Sequence, residues 1–313
     1  MTFSCGFVTP PKRIYKYVSA ERCLQMLRTN TIRFTQPEEL NDPFEFCPSL
    51  DLELLKKEYL SAPKRKSAIK AGTDDKILMK DFKDHCLEVA RAISQLNKST
   101  GVLSLSESAD VPLMWSHYAE EHSGFVIGLD ANSLISRGMP KDKSGVYGIG
   151  PVNYRSTRAR FPVEHGSNFD FMLIKDSCWS YEHEWRIVRG LASLNKVSDS
   201  VYVDEIPASS ILCVIRGARS DKKHVREMLD ILREDKYKHV HQYAAYPHAD
   251  EFSIDIGTHV GEMLGGSDDH LEEQYTPGVL DLYKFASKGR LFGAMGMVDV
   301  DDLKKHEKHE FGF

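Results

Sequence analysis

Trp179-Ser180-Tyr181-Glu182-His183-Glu184-Trp185-Arg186-Ile187-Val188 is the most informative segment of the sequence. From Tyr181 onward its charged and apolar residues alternate, which predicts a β-strand whose successive side chains point to opposite faces. Glu182, Glu184 and Arg186 then project from one face at intervals of about 7 Å. The predicted strand therefore presents two acids and one base on a single surface.

The charges on this face allow two interpretations. With one arginine for two carboxylates, one acid is neutralised and the other is left to accept a hydrogen bond or to stabilise a cationic transition state. Alternatively, the three side chains form a solvated strand face with cross-strand ion pairs, which is a common arrangement. The spacing alone leaves both interpretations open.

Length and composition describe a globular protein with a sizeable core. The chain has 313 residues, of which 41% are hydrophobic and 28% are charged, and this balance excludes disordered, collagen-like and coiled-coil classes. Residues 257–313 hold 11 acidic and 6 basic residues, which accounts for the whole net charge of -5. Charge alone therefore does not choose between a protein and a nucleic-acid partner.

The sequence carries no pattern that predicts a membrane or secretory destination. Its apolar runs are only a few residues long, and the first five residues lack a basic and then apolar start. We therefore expect a cytoplasmic protein without a membrane partner. The six cysteines form no C-x-x-C pair, so we expect reduced, half-buried thiols rather than a zinc site or a disulfide framework.

Strand and helix patterns alternate irregularly along the chain. Because no regular βα repeat appears, we predict an α+β fold with a curved, largely antiparallel sheet. Residues 1–256 are expected to form one domain with a basic helical insertion at about 50–98, and residues 257–313 an acidic, glycine-rich appendage. Strands are predicted at 14–18, 31–35, 102–106 and 124–129, and a final β-α-β run at 211–243.

A second cluster of chemically informative residues lies at 113–122, Leu-Met-Trp-Ser-His-Tyr-Ala-Glu-Glu-His. A helix is predicted over 111–121, and it places His117, Tyr118 and Glu121 on one side. A buried aromatic helix explains most of this pattern. His117 and Glu121 could begin a metal site, but no third ligand is spaced nearby and H-E-x-x-H does not occur, so we expect no zinc.

Common nucleotide and hydrolase motifs do not occur in the sequence. It contains no G-x-G-x-x-G, no G-x-x-x-x-G-K-[ST] and no G-x-S-x-G, which weighs against classical dinucleotide folds, P-loop NTPases and α/β-hydrolases. A nucleotide would have to be held in another way.

Five sequence blocks occur in one order along the chain. They are Y-K-Y at 15–17, F-T-x-P-x-x-L-N-D-P-F-E at 34–45, L-S-x-S at 103–106, W-S-H-Y-A-x-x-H-S-G-F-x-I-G at 115–128 and W-x-Y-E-x-E-W-R at 179–186. Taken together, these blocks resemble a bacterial domain family of unknown function, with coverage from about residue 15 to 256.

That family in turn looks like a divergent ADP-ribosyltransferase. The opening strand, helix and proline-bounded loop are similar to the start of DarT-type enzymes, and Glu182-x-Glu184 is similar to the acidic strand of the arginine-type transferases. The resemblance implies a split, largely antiparallel sheet with NAD bound in the cleft between its halves.

The same resemblance implies roles for individual residues. Glu184 is the expected carboxylate beside the positively charged ribose that is left when nicotinamide departs. Glu182 would orient the acceptor nucleophile, and Arg186 would hold the acidic pair or a phosphate. The remaining NAD contacts are expected from Tyr15, Tyr17, Asn41, Ser104, Ser106, Trp115, His117 and Tyr118.

Basic clusters bear on the acceptor that such a transferase would modify. Lys64-Arg65-Lys66, Lys70 and the arginines at 155, 158 and 160 could follow a phosphate backbone, or they could be solvated surface side chains. DarT-like transferases modify DNA and CmdT-like ones modify mRNA in phage defence, so the resemblance favours a nucleic-acid acceptor. It also implies a toxin that an antitoxin or chaperone restrains, with the acidic tail as a docking segment.

Two other functions remain open. One is a metal-dependent nuclease in which Glu182, Glu184 and either Asp42 or Glu45 ligate Mg²⁺. The other is a non-catalytic sensor that binds a nucleotide or a phage protein through a cleft beside Trp115.

Overall fold

The computed structural model describes residues 9–138, 147–162 and 170–257. These residues form a mixed α/β fold with several helices and one large sheet. The helices are α1 (Ala20–Thr29), α2 (Leu52–Ser61), α3 (Pro63–Lys70), α4 (Asp75–Lys98), α5 (Pro112–Tyr118), α6 (Ala131–Gly138) and α7 (Lys222–Leu232). All of the predicted appendage except Gly257 lies outside the described residues.

The strands fall into one large and three small sheets within the described ranges. The large sheet has the order β15-β14-β13-β5-β1-β4-β10-β6, and the small ones are β11-β12-β2, β3-β8 and β7-β9. The strands are β1 (Arg13–Val18), β2 (Thr31–Phe34), β3 (Ser49–Leu50), β4 (Thr100–Ser106), β5 (Phe125–Asp130), β6 (Tyr147–Pro151), β7 (Asn153–Arg155), β8 (Arg160–Phe161), β9 (Ile174–Asp176), β10 (Glu184–Gly190), β11 (Asn195–Ser198), β12 (Val201–Glu205), β13 (Ile211–Arg216), β14 (His241–Pro247) and β15 (Ile254–Gly257).

Pairing in the large sheet is mostly antiparallel, which confirms the predicted fold class at that level. Strand β10 pairs antiparallel with both β4 and β6, and β14 pairs antiparallel with β15. Strands β13 and β14 run parallel and are separated in the sequence by α7, so the predicted β-α-β run is confirmed. A parallel pair needs such a crossover connection.

Helices α2, α3 and α4 occupy the range in which a helical insertion was predicted. Asp51 begins α2 by accepting a hydrogen bond from the Leu54 amide at 3.0 Å, and Asp74 begins α4 by accepting one from the Lys76 amide at 2.8 Å. Such caps satisfy amide groups that a helix leaves without internal partners. Leu55, Tyr59 and Phe82 form a small apolar core between the helices.

The described residues divide into two compact units. The first contains the described residues up to Lys16, Gln25–Ala109 and Gly128–Leu212. One of its apolar clusters joins Phe46, Val102, Phe171, Met172 and Val188, so strands β4 and β10 are anchored by buried side chains.

The second unit contains Tyr17–Leu24, Asp110–Ile127 and the described residues from Cys213 onward. Its helix α5 ends at Tyr118 rather than at residue 121, so the predicted helix is wrong at its C-terminal end. The cause is the backbone, because Glu120, Glu121 and His122 all have positive φ angles, between 52° and 70°. A right-handed helix cannot continue through such residues.

The predicted strand over 181–188 is wrong at its beginning. Residues Ser177–Glu182 form a 3₁₀ segment, which Asp176 begins by accepting a hydrogen bond from the Cys178 amide at 2.8 Å. His183, with a φ of 44°, ends this segment in the left-handed region, and β10 starts at Glu184. Glu182 therefore does not lie on the strand.

Candidate functional site

Five charged side chains of the first unit form a buried cluster, which we call the charge cluster: Glu45, Lys175, Glu182, Glu184 and Arg186. Their side chains are at most 4% exposed. The Lys175 ammonium Nζ lies 2.6 Å from Glu182 Oε2, 3.2 Å from Glu45 Oε1 and 3.4 Å from Glu184 Oε2. Three carboxylates thus converge on one cation.

Arg186 is the second cation of the charge cluster. Its Nε donates to Glu184 Oε1 at 2.9 Å, and its Nη2 donates to Glu184 Oε2 at 3.0 Å. This two-pronged geometry is the strong form of an arginine–carboxylate pair. Arg186 also donates to Glu45 and, at 2.9 Å, to the Met172 carbonyl. Arg186 therefore fixes the positions of two of the three carboxylates.

The pKa shifts follow from burial and from these neighbours. Burial by itself raises the pKa of Glu184, but Arg186 and Lys175 outweigh it and hold that pKa at about 2. For Glu45 burial outweighs the same two cations, and its pKa is raised. Burial lowers the pKa of Lys175, but Glu184, Glu45 and Glu182 raise it above the usual value. At neutral pH Glu184 and Lys175 are both charged.

Strand register places further predicted residues beside Glu184. Ser106 is the cross-strand neighbour of both Tyr15 on β1 and Glu184 on β10, so the three residues form a row on one face of the sheet. Ser104 is the neighbour of Arg186, and its side chain forms a hydrogen bond with Glu184. The Ser104 carbonyl accepts a hydrogen bond from Lys16 Nζ at 2.8 Å.

Glu182 reaches the charge cluster by a route that the sequence did not predict. The Ser106 hydroxyl donates to the Glu182 carbonyl at 2.7 Å, which holds the end of the 3₁₀ segment against β4. The Glu182 carboxylate then accepts a hydrogen bond from Lys175 rather than from Arg186. The prediction that Glu182, Glu184 and Arg186 share one strand face is therefore wrong, although all three belong to one cluster.

Two residues of the site were missed by sequence reasoning. Lys175 follows the buried Phe171, Met172 and Leu173. A lysine next to such an apolar run could have been predicted to be buried and paired. Tyr154 accepts a hydrogen bond from the Glu184 amide at 2.8 Å, and burial raises the pKa of its hydroxyl. No local pattern marked Tyr154.

A cleft of about 230 Å³ adjoins the charge cluster, and we call it the 42–176 cleft. Glu45 and Lys175 belong to both the cluster and the lining of this cleft. Asp42 Oδ2 is buried and accepts no hydrogen bond from any described residue, whereas Glu45 Oε1 is paired with the Lys175 ammonium. The side chains of the lining that bear on its chemistry are Asp42, Glu45, Cys47, Arg155, Arg158 and Lys175.

The other predicted NAD-contacting residues lie in varied surroundings. Asn41 is exposed next to Asp42 in the first unit. In the second unit, Trp115 is fully buried, and its ring meets the buried Tyr17 ring edge-on at 5.5 Å. His117 is exposed, and Tyr118 is half-buried. Their contacts with NAD stay predictions.

The metal-site hypothesis finds no support in the described geometry. Among residues 9–138, 147–162 and 170–257, no group of three or more His, Cys, Asp or Glu side chains is arranged to hold a metal ion. Glu45, Glu182 and Glu184 do converge, as the nuclease hypothesis required, but Lys175 and Arg186 occupy the space between them. This arrangement of two cations among the three carboxylates does not favour a metal-dependent nuclease.

A known family model matches part of the chain. Residues 114–187 match the family model described as "Protein of unknown function (DUF2971)". The matched range contains two of the sequence blocks, at 115–128 and at 179–186. No curated protein and no solved structure matches the chain. Within the described residues, no helix is both long and apolar enough to cross a membrane.

Proposed function

We propose that this protein is an NAD-dependent ADP-ribosyltransferase with its reaction centre at the charge cluster. The observation that carries the proposal is the convergence of Glu45, Glu182 and Glu184 on a single ammonium group beside a cleft. Loss of nicotinamide from NAD leaves a ribose with oxocarbenium-like positive charge, which carboxylates stabilise. The Lys175 ammonium marks a place where three buried carboxylates stabilise positive charge.

Glu184 is the carboxylate that we assign to the ribose. Arg186 and Lys175 keep its pKa at about 2, so it is ionised at every physiological pH. Glu184 lies in one cross-strand row with Ser106 and Tyr15. The resemblance likewise implies that the strand carrying the serines and the opening strand both contribute to the NAD site. Entry of the ribose requires the Lys175 side chain to withdraw, which its flexible stem permits.

We assign NAD contacts to residues of the first unit only. Arg155 and Arg158 line the 42–176 cleft and supply the positive charge that the diphosphate of NAD requires. Tyr15 lines the nicotinamide pocket, and Glu182 orients the acceptor. Within this proposal the sheet corresponds to the split sheet of the transferases.

The acceptor that we propose is a nucleic acid, RNA or DNA. Helix α3 contains Lys64, Arg65, Lys66 and Lys70, has no acidic residue and buries none of its side chains. This charge suits a phosphate backbone. A transferase of this kind would act as a cytoplasmic toxin in phage defence, restrained by an antitoxin or chaperone.

Nicotinamide release from labelled NAD tests the proposal directly. The protein is incubated with labelled NAD and cell extract, and both nicotinamide and labelled macromolecules are measured. We expect Glu184→Gln to abolish both signals, whereas Glu205→Gln, at an exposed position on β12, should leave them unchanged. Absence of both signals in the unaltered protein would refute the proposal.

Folding of the variants must be separated from catalysis. Glu184→Gln removes a charge from a buried pair, so circular dichroism melting is recorded for each variant. Ser104→Ala serves as a milder second variant, because it removes one hydrogen bond from Glu184 and leaves all charges in place. A folded Ser104→Ala variant with unchanged activity would argue against Glu184 as the catalytic carboxylate.

A further inference from the structure

Two exposed cysteines of the first unit have different chemical surroundings. Cys47 and Cys178 are exposed, whereas Cys86 is half-buried and Cys23 and Cys213 are buried. The expectation that the cysteines are uniformly half-buried is therefore wrong for the described thiols. Exposure makes Cys47 and Cys178 accessible to reagents, so their neighbours decide their reactivity.

Arg158 holds Cys47 by both its backbone and its thiol. Its Nε donates to the Cys47 carbonyl at 3.1 Å, its Nη2 also donates to that carbonyl, and Nη2 lies 3.0 Å from Cys47 Sγ. A guanidinium N–H donor beside sulfur stabilises the negative charge that a thiol carries while it attacks an electrophile. It also pairs with the oxygen of an oxidised sulfur.

Cys178 has the opposite environment. Its thiol forms a hydrogen bond with the Asp176 carboxylate, and that bond raises the thiol pKa. Asp42 adds a second negative charge nearby. A raised thiol pKa reduces the thiolate fraction and slows attack on an oxidant. Cys178 is therefore a matched, exposed reference for Cys47 in the same unit.

Cys47 lines the 42–176 cleft. A chemical change at its thiol therefore changes the cleft. Asp42 lines the same cleft, is 5% exposed, and has a buried carboxylate oxygen, Oδ2, that accepts no hydrogen bond from the described residues. A buried acceptor of this kind is costly unless a donor reaches it. This oxygen points to a ligand with a hydrogen-bond donor in the cleft.

The backbone joins Cys47 to the charge cluster. Phe46 lies between Glu45 and Cys47, is 1% exposed and has a φ of 56°. Non-glycine residues seldom adopt this left-handed conformation. It separates the buried Glu45 from the exposed Cys47, and the Phe46 carbonyl is held by Asn97 Nδ2 at 2.9 Å. Cys47 therefore has a fixed position at the cleft.

We propose that Cys47 is an oxidation site at which hydrogen peroxide controls access to the 42–176 cleft. The Cys47 sulfur attacks one peroxide oxygen, an S–O bond forms and the O–O bond breaks, and the hydroxide that leaves becomes water on taking up a proton. Sulfur loses two electrons and peroxide gains them, giving the sulfenic acid. The added oxygen lies beside Arg158 and takes space that a ligand would fill.

Peptide mass spectrometry of the full chain tests this proposal. The protein is treated briefly with hydrogen peroxide in the presence of dimedone, which traps sulfenic acids, and labelling of Cys47 and Cys178 is followed over time. We expect Cys47 to be labelled about tenfold faster than Cys178. Equal rates for the two thiols would overturn the proposal.

Two arginine variants assign the effect to Arg158. Arg158→Met should slow labelling of Cys47 to about the rate of Cys178 and leave Cys178 unchanged. Arg155→Met is the control, because Arg155 lines the same cleft, and it should leave both rates unchanged. If Arg158→Met leaves Cys47 unaffected, or slows both thiols equally, the role of Arg158 is disproved.

A further arm rests on the proposed function. Saturating NAD should slow the labelling of Cys47 and leave that of Cys178 unchanged, because NAD would fill the cleft. Fast labelling that depends on Arg158 without protection by NAD would retain the oxidation site and refute NAD binding in the cleft. Protection by NAD without dependence on Arg158 would retain NAD binding in the cleft and refute the oxidation site.

Discussion

Replacing Lys175 with methionine removes the central cation of the charge cluster and retains a similar apolar stem. Glu45, Glu182 and Glu184 then face one another with Arg186 as the remaining cation of the cluster. Removing one partner of a buried ion pair costs about 3–5 kcal/mol because a buried charge is left uncompensated. We therefore expect Lys175→Met to lower the free energy of unfolding by about 3–5 kcal/mol at neutral pH.

Urea unfolding followed by tryptophan fluorescence measures this loss. Lys196→Met is the matched control, because Lys196 is exposed and pairs with Asp199 at 3.1 Å, and it should change the free energy of unfolding by less than about 0.5 kcal/mol. Adding Glu182→Gln to Lys175→Met should restore part of the stability, since it removes one uncompensated carboxylate.

The pH dependence of this effect has a defined sign. In the Lys175→Met variant the carboxylates lose a cation, so their pKa values rise and they take up protons as the pH falls. The stability difference between the variant and the unaltered protein should therefore shrink at acidic pH. A variant as stable as the Lys196→Met control, or a penalty that is the same at neutral and acidic pH, would refute the account of the charge cluster.

Two further outcomes are expected from stability measurements. The pKa of Glu184 is about 2 in the folded protein against an ordinary value of 4.5, and a difference of this size stabilises the fold by about 3–4 kcal/mol. That contribution is complete above pH 4.5 and is lost as the pH falls towards 2; urea titrations across this range should show it, and Glu184→Gln should lack it. Gly217→Ala should lower the free energy of unfolding by about 3 kcal/mol, because an added Cβ would lie 2.1 Å from the His122 carbonyl oxygen. Gly72→Ala, with a φ of 75° and open space around it, should cost about 1 kcal/mol, and equal losses for the two glycines would contradict the packing described here.

The sequence predicted most of the regular structure because local patterns determine it. Short apolar segments marked β4 and β5, and the succession of strand, helix and strand patterns marked the β-α-β run around α7. Local backbone reversals were not predictable in this way. The left-handed positions after α5 and at 183 are occupied by residues other than glycine. The sequence therefore did not predict where α5 ends or where β10 begins.

The site was predictable only in part, since ion pairs depend on contacts between distant residues. Glu184 and Arg186 lie two residues apart on one strand, and this spacing predicted their ion pair. Lys175 and Glu45 form an ion pair but come from separate segments of the sequence. The Tyr154 hydroxyl contacts the backbone amide of Glu184 rather than its side chain. The sequence predicted that one of the two acids would be left as a free acceptor, but Glu182 and Glu184 are both paired with Lys175.

A crystal structure with a non-hydrolysable NAD analogue tests the central claim most directly. We expect density in the 42–176 cleft, with the nicotinamide ribose at the present position of the Lys175 ammonium and within hydrogen-bonding distance of Glu184. An analogue bound elsewhere on the protein, with Lys175 still paired to Glu45, Glu182 and Glu184, would contradict the account.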